Sequence, residues 1–309
     1  MIDVFSKKKI KPHKYGFVEL GEEAEENTVG FNPIEFSISP DGKTWTSCYD
    51  VKNMDGILCY SSPNAPKAKR TNNTKTIGFQ DGERLISSSF ASRELKFKLF
   101  YDGVDVEDAM LAFESAQRFL VARDAYWITF SDWQDKMYYG LAEMGDPEYT
   151  SSTWTCEVTF TDLMGLSRSI GTSLSPVEDM WGVNNNIPNN GDYPAYKFSS
   201  SSFTVYNPSD IMIDPERRGH EFTLVLNGSS GGNFKITNKT TGDYISRKDG
   251  FSGTWKLEGC IPTLNDNGDQ KNITGTHGGV IKLQIEKNEF QVENFSGNIS
   301  FDFPFWWLA

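Results

Sequence analysis

Residues 93–101, RELKFKLFY, alternate without a break. Leu95, Phe97, Leu99 and Tyr101 fall on one side; Glu94, Lys96, Lys98 and Phe100 fall on the other. Such a period of two predicts a strand with one buried face. Directly behind it the period changes. Between about 105 and 123, Val106, Met110, Phe113, Ala116, Gln117 and Leu120 follow helical spacing, with Ala109 filling the face. Asp105 is placed to cap this helix, and Glu107 and Asp108 occupy its first turn. Arg118 and Arg123 lie at its far end, so both ends complement the helix dipole. A half-buried strand followed by one amphipathic helix needs a sheet to close the core.

The neighbouring sequence supplies strands for that sheet. Tyr126 to Phe130, Lys136 to Gly140 and Thr153 to Phe160 are rich in aromatic and β-branched residues. In the last of these Trp154, Cys156, Val158 and Phe160 share one face. Upstream, Phe36 and Ile38 lead through Ser39-Pro40-Asp41-Gly42 into Thr44-Trp45-Thr46, a hairpin signal. Residues 61–76, SSPNAPKAKRTNNTKT, read as an exposed polar loop. Residues 1–164 are thus expected to form an N-terminal β-rich α+β domain with one prominent helix. Leu95, Phe97, Leu99, Val106, Met110, Phe113 and Leu120 are its expected core.

Residues 165–192 are rich in Gly, Ser, Asn and Pro and are expected to be a linker, although Met180 and Trp181 need a place to pack. From 193 to 309 no helix is expected. Short strand candidates recur at 202–206, 221–226, 233–237, 242–246, 253–257, 280–285, 289–293 and 298–303, the pattern of a jelly-roll β-sandwich. Its expected core is Phe222, Leu224, Leu226, Phe234, Ile236, Trp255, Leu257, Ile281, Leu283 and Ile285. The fold class is mainly β. Composition agrees: aromatics are 14% of 309 residues while all hydrophobics are only 38%, with 27 Gly and 13 Pro. At about 150 residues per domain, the length also fits two domains.

Chemistry is hard to find. The three histidines, His13, His220 and His277, fall in an arm, a strand start and a Gly-rich turn. Gly228-Ser229-Ser230-Gly231-Gly232 fits Gly-x-Ser-x-Gly in spacing but reads as a hairpin turn, Ser6-Lys7-Lys8-Lys9 fits Ser-x-x-Lys but lies in the N-terminal arm, and Gly165-Leu166-Ser167-Arg168-Ser169 lacks the second glycine. Cys48, Cys59, Cys156 and Cys260 form no Cys-x-x-Cys pair, so no metal site is expected. The Asn265–Asp269 cluster places Thr263 and Thr274 where a calcium loop needs acids. No cofactor and no catalytic residue are expected, and the chain is not expected to be an enzyme.

Net charge is −12, from 30 basic and 42 acidic residues, which disfavours a nucleic-acid binder. The opening segment has no apolar core of a signal peptide, and no apolar run is long enough to span a membrane. A basic block around Lys7, Lys8 and Lys9 precedes an acidic block containing Glu22 and Glu23. It reads either as a solvated arm or as an arm docking on a neighbouring subunit. With Arg70 and Lys75, these residues are the interface candidates. Trp255 reads either as core or as a sugar-stacking ring on the sandwich.

The order of these segments resembles the distal tail (Dit) proteins of siphophages that infect Gram-positive bacteria. The resemblance rests on Asp81-Gly82-Glu83-Arg84-Leu85-Ile86-Ser87-Ser88-Ser89-Phe90 before the strand at Arg93-Glu94-Leu95. It continues in the strands at 126–130, 136–140 and 154–162, and in the aromatic close Ile299 to Leu308. It implies a galectin-like C-terminal sandwich and a homo-hexameric ring at the virion tail tip. One face of the ring would meet the tail tube protein, the other the tail-associated hub protein of the baseplate. The ring would let DNA pass without binding it specifically and would offer sites to receptor-binding proteins. Synthesis in the host bacterial cytoplasm and no membrane association are implied with it. The alternative expectation is a carbohydrate-binding host-adhesion module of a tail tip.

Overall fold

The computed structural model describes residues 2–14, 28–64, 66–79, 81–133, 135–175, 182, 185–188, 190–266, 269–272, 276–277 and 279–309. It is built mostly from antiparallel strands, as expected for a mainly-β protein. The chain forms two compact units. One comprises Ile2–Ser167 with Leu308 and Ala309, the other Arg168–Trp307.

In the first unit, besides a short parallel pair at His13–Lys14 and Thr28–Val29, the strands are β1 (Phe36–Ser39), β2 (Thr46–Ser47), β3 (Leu58–Ser61), β4 (Lys69–Lys75), β5 (Arg84–Ala91) and β6 (Arg93–Asp102). After helix α1 (Val106–Leu120) come β7 (Tyr126–Phe130), β8 (Lys136–Met144), β9 (Glu148–Thr150) and β10 (Thr153–Asp162). The sheet runs β2-β1-β7-β8-β10-β6-β3, with β9 added to β10. The Asp41 turn joins β1 and β2 as expected. The Asp41 carboxylate accepts from Lys43 N at 2.8 Å and Thr44 N at 2.7 Å, and these bonds hold it well below the usual carboxylate range.

Strands β6 and β10 bury the residues their alternation predicts. Leu95, Phe97, Leu99, Trp154, Val158 and Phe160 are all inside. The helix differs. Asp105 does cap it, accepting from Asp108 N at 2.8 Å. Its inward face, however, is Ala109, Ala112, Ala116 and Leu120, while Val106 and Met110 lie more than half exposed. The reason is Trp154. Its ring stands beneath the helix, donating Nε1–H to Ala109 O at 2.9 Å and meeting Phe113 edge-on at 5.5 Å. Large residues at 109, 112 and 116 would push the helix off the sheet, so the bulkier apolar side chains turn outward.

Residues 61–76 also depart from expectation. Residues 69–75 are a strand, β4, paired with β5 from Lys69↔Ala91 to Lys75↔Arg84. At the base of this ribbon Gly165, with φ +67°, passes so close to Ala91 O that a Cβ would sit 2.2 Å from it. Only glycine fits there.

In the second unit, the segment after Ser167 is tied down. Ser169 N donates to Phe305 O at 2.8 Å and Ser173 N to Phe303 O at 2.9 Å. The strands that follow are β11 (Lys197–Phe198), β12 (Ser202–Asn207), β13 (Thr223–Ser230), β14 (Phe234–Asn238), β15 (Tyr244–Arg247) and β16 (Phe251–Glu258). They continue with β17 (Ile261–Asp266), β18 (Asp269–Asn272), β19 (Thr276–His277), β20 (Glu286–Glu293), β21 (Ser296–Asp302) and β22 (Trp306–Trp307). Two sheets form the sandwich, ordered β11-β21-β13-β16-β17-β18 and β12-β20-β14-β15-β19. Rings from both meet between them: Phe198 stacks on Phe203 at 4.2 Å, Phe290 meets Phe301 at 4.9 Å, and Phe234 meets Trp255 at 5.9 Å.

Of the expected core, Ile285 is 48% exposed, and 280–285 is not a strand. Ile281 and Leu283 are buried all the same. Leu283 is held by reciprocal bonds with Ile213, at 2.9 and 3.1 Å. Fully buried Asn288 supplies what a ladder would have given. Its amide accepts from Gln284 N at 2.8 Å and donates to Gln284 O at 2.9 Å.

Candidate assembly surfaces

The feature of the first unit least explained by its own core is the β4–β5 ribbon. Every residue of β4 is exposed, and Leu85 and Ile86 of β5 are 55% and 54% exposed. Phe79, in the connection between the two strands, is fully exposed, and Ile77 is 40% exposed. A two-stranded ribbon is marginal in water by itself, and unpaired strand edges invite another chain. Its charge is distinctive too. Lys69, Arg70, Lys75 and Arg84 lie on it against Asp81 and Glu83, within a chain of net charge −12. The structure therefore places two of the expected interface residues, Arg70 and Lys75, on one projecting element. Arg70 sits opposite Phe90, and Lys75 opposite Arg84.

Lys7, Lys8 and Lys9 lie apart from it, on the N-terminal arm. The arm is fixed to the body by Glu35, a carboxylate only 5% exposed. Glu35 accepts from Ser6 N and Ser47 Oγ, both at 2.5 Å, and from Lys11 Nζ at 2.7 Å. Lys7 pairs with Asp3 at 2.6 Å, and Lys8 Nζ donates to Tyr49 O at 2.5 Å. Lys9 is exposed. Glu22 and Glu23 lie outside the described residues, as do Met180 and Trp181.

A second exposed apolar region accompanies α1. Val104, Val106, Met110, Leu111 and Val121 are 50% exposed or more. Sequence reasoning missed it because it assigned Val106 and Met110 to the core. It missed β4 because KRTNNTK has no apolar alternation, neither face being buried by the chain itself. The Asp81-Gly82 turn signal beside it was the one available clue to a hairpin.

The sugar-stacking reading of Trp255 is corrected. Trp255 is completely buried between the sandwich sheets, so neither face of its ring is open to a ligand. Nor are the cysteine thiols activated. Burial pushes the Cys59 thiol to about 12 and the Cys156 thiol to about 11, and raises Cys48 further, whereas a nucleophilic thiol needs the opposite shift. His220 is pushed down to about 4 by burial. Its Nδ1 accepts from Asp214 N at 3.1 Å, and its ring lies 5.4 Å from that of Trp306. No helix among the described residues is long and apolar enough to cross a membrane, and no three metal-binding side chains cluster among them.

The comparisons with known proteins fall on the same regions. Residues 47–161 match the family model for the phage tail protein RIFT-related domain, a segment that includes the whole ribbon and α1. No curated protein matches the sequence. Among solved structures, the Dit (gp 19.1) protein of phage SPP1 is similar with a TM-score of 0.55 and 17% identity, over 87% of this chain and 99% of that one. It is described as a paradigm of the hub adsorption apparatus in phages infecting Gram-positive bacteria. A chain of the phage P2 baseplate in its activated conformation aligns over 88% of this chain and 98% of its own, with a TM-score of 0.35 and 15% identity. The resemblance to siphophage distal tail proteins expected from the sequence is borne out. The family matched is one of phage tail proteins, not enzymes.

Proposed function

We propose that the chain is a structural subunit of a phage tail tip, assembling as a homo-hexameric distal tail ring that joins the tail tube to the baseplate. The observation that carries this reading is the β4–β5 ribbon. It lies inside the matched tail-protein segment, it is paired along its length with one register shift between Asn73 and Thr74, and the unit's own core does not support it. A ribbon from one copy lying on the next is a heterologous contact, which closes into a ring when the rotation allows. Its basic residues and the exposed Ile77, Phe79, Leu85 and Ile86 then become interface, with Arg70 and Lys75 at their centre. Lys7, Lys8 and Lys9 form a rim. The tail tube protein and a tail-associated hub protein are the axial partners, and receptor-binding proteins attach at the periphery. The protein acts in the virion after synthesis in the host cytoplasm.

The net charge of −12 suits a ring through which DNA slides, since acidic walls repel phosphate. Tight DNA binding at physiological salt would contradict that part. For the ring itself, light scattering coupled to size exclusion should give the mass of six copies, and negative-stain images should show rings. Replacing 69–91 by a short turn should leave folded monomers. A strict monomer at high concentration that binds neither tube nor hub protein would sink the proposal.

A further inference from the structure

The first unit carries two exposed surfaces of opposite character. One is the β4–β5 ribbon. Residues 69–91 hold four basic residues against two acidic ones, and Lys69, Arg70, Lys75 and Arg84 make no ion pair among the described residues. Lys75 lies directly opposite Arg84 across the two strands. Like charges so placed work against a ribbon unless an anion lies beside them. Fully exposed Phe79, with Ile77, stands at the end of the same element.

The other surface is α1. Residues 102–124 hold six acidic residues against two basic ones. Asp105 and Asp108 are spent on the start of the helix. Asp105 caps it, and Asp108 accepts from Tyr101 Oη at 2.8 Å and Val104 N at 3.1 Å. Glu107 has no partner among the described residues, and Glu114 holds only the exposed Arg118, at 2.7 Å. At about 100° per residue, Val106, Met110, Phe113 and Gln117 fall in one stripe about 60° wide, beside the buried alanines rather than opposite them. Glu107 and Glu114 border that stripe on its solvent side.

We propose that α1 of one copy receives the ribbon of the next. This rests on the ring reading above and names the surface on which the ribbon lies. Both surfaces stay open in the single chain, so the ribbon does not lie on its own helix. Two-fold contacts fit less well. Helix on helix would set one acidic surface against its copy, and ribbon on ribbon one basic surface against its copy, both costly. Ribbon on helix brings cations to carboxylates. The dimensions agree: strands of seven and eight residues make a ribbon about 25 Å long, and a helix of 15 residues is about 22 Å long. Phe79 supplies an aromatic anchor, and the unbranched Met110 side chain adapts to a ring. Because giver and receiver are different surfaces of one chain, the contact runs head to tail.

The test starts from the full chain carrying Cys260→Ser, since Cys260 is an exposed thiol. Phe79→Cys and Met110→Cys are made singly and together and treated with a short bismaleimide. The doubly substituted chain should give a ladder of covalent species up to six copies, and each single substitution should leave one copy. Cross-linking by Met110→Cys alone or by Phe79→Cys alone would reveal helix on helix or ribbon on ribbon and overturn the proposal. Charge gives a second readout. Lys75→Glu/Arg84→Glu should raise the concentration at which the assembly falls to monomers about tenfold. Adding Glu107→Lys/Glu114→Lys to the same chain should restore assembly; no restoration would overturn the proposal. Mass by light scattering separates the two failures. Six copies without a ladder would remove this contact and leave the ring, whereas a strict monomer would remove the ring and this contact with it.

Discussion

Acid should loosen the second unit through one side chain, His220. In the folded chain its Nδ1 is committed as acceptor to Asp214 N, 3.1 Å away, so a proton added there would set two donors face to face. Burial and the nearby Arg218 lower its affinity for a proton, outweighing the attraction of Asp214, and its pKa falls from 6.5 to about 4. The folded state therefore favours neutral imidazole. The stability this contributes is fully present above about pH 6.5 and is lost as pH falls toward about 4, because there the unfolded chain binds more protons. Each tenfold drop in proton affinity is worth about 1.4 kcal/mol, so the full loss is about 3 kcal/mol, of which about 2 kcal/mol is gone by about pH 5. Urea unfolding at a series of pH values should show it, followed by fluorescence of Trp255, Trp306 and Trp307, all in this unit. His220→Gln keeps an acceptor for Asp214 N without titrating. Its stability should stay about 2 kcal/mol flatter than the parent's between about pH 7 and 5. Parallel profiles for the two proteins would refute the reasoning.

Four further outcomes are expected. Asp162→Asn should cost the first unit about 3–5 kcal/mol, because Arg93 Nε, 2.9 Å from the carboxylate and 4% exposed, would be left as a buried unpaired charge; a loss under about 1 kcal/mol in urea unfolding would contradict this. Asp105→Ala should cost about 1 kcal/mol by uncapping α1, visible as a lower melting temperature of the first unit. Ala116→Leu should destabilise by about 1–3 kcal/mol while Met110→Ala stays within about 0.5 kcal/mol, the reverse of what helical periodicity alone predicts; urea midpoints of the two variants check it. Gly165→Ala should reduce soluble yield and unfold at lower urea, since a Cβ would meet Ala91 O at 2.2 Å in a left-handed backbone; an unchanged midpoint would show that the ribbon base relaxes freely.

Strands with one buried face were legible because burial imprints a period of two on the residues. Leu95 to Tyr101 and Trp154 to Phe160 are the clearest cases. The helix was legible in position and cap but not in rotation. Its inward alanines carry little hydrophobic signal, and the size of the space beneath them is set by Trp154, far along the sequence. The ribbon was invisible for the opposite reason: a strand that buries nothing in its own unit leaves no pattern. Trp255 could be core or site until its neighbours were in place.

By itself, then, the sequence determined the mainly-β class, the single capped helix, the strand faces and the resemblance to a tail protein family, since each rests on local spacing or on the order of segments. Tertiary structure alone decided which helix face is inside and that 69–91 projects as a ribbon. It also decided that Lys75 stands opposite Arg84 and that Trp154 lies beneath Ala109. Register across strands brings together residues far apart in the chain, and nothing in local spacing encodes it.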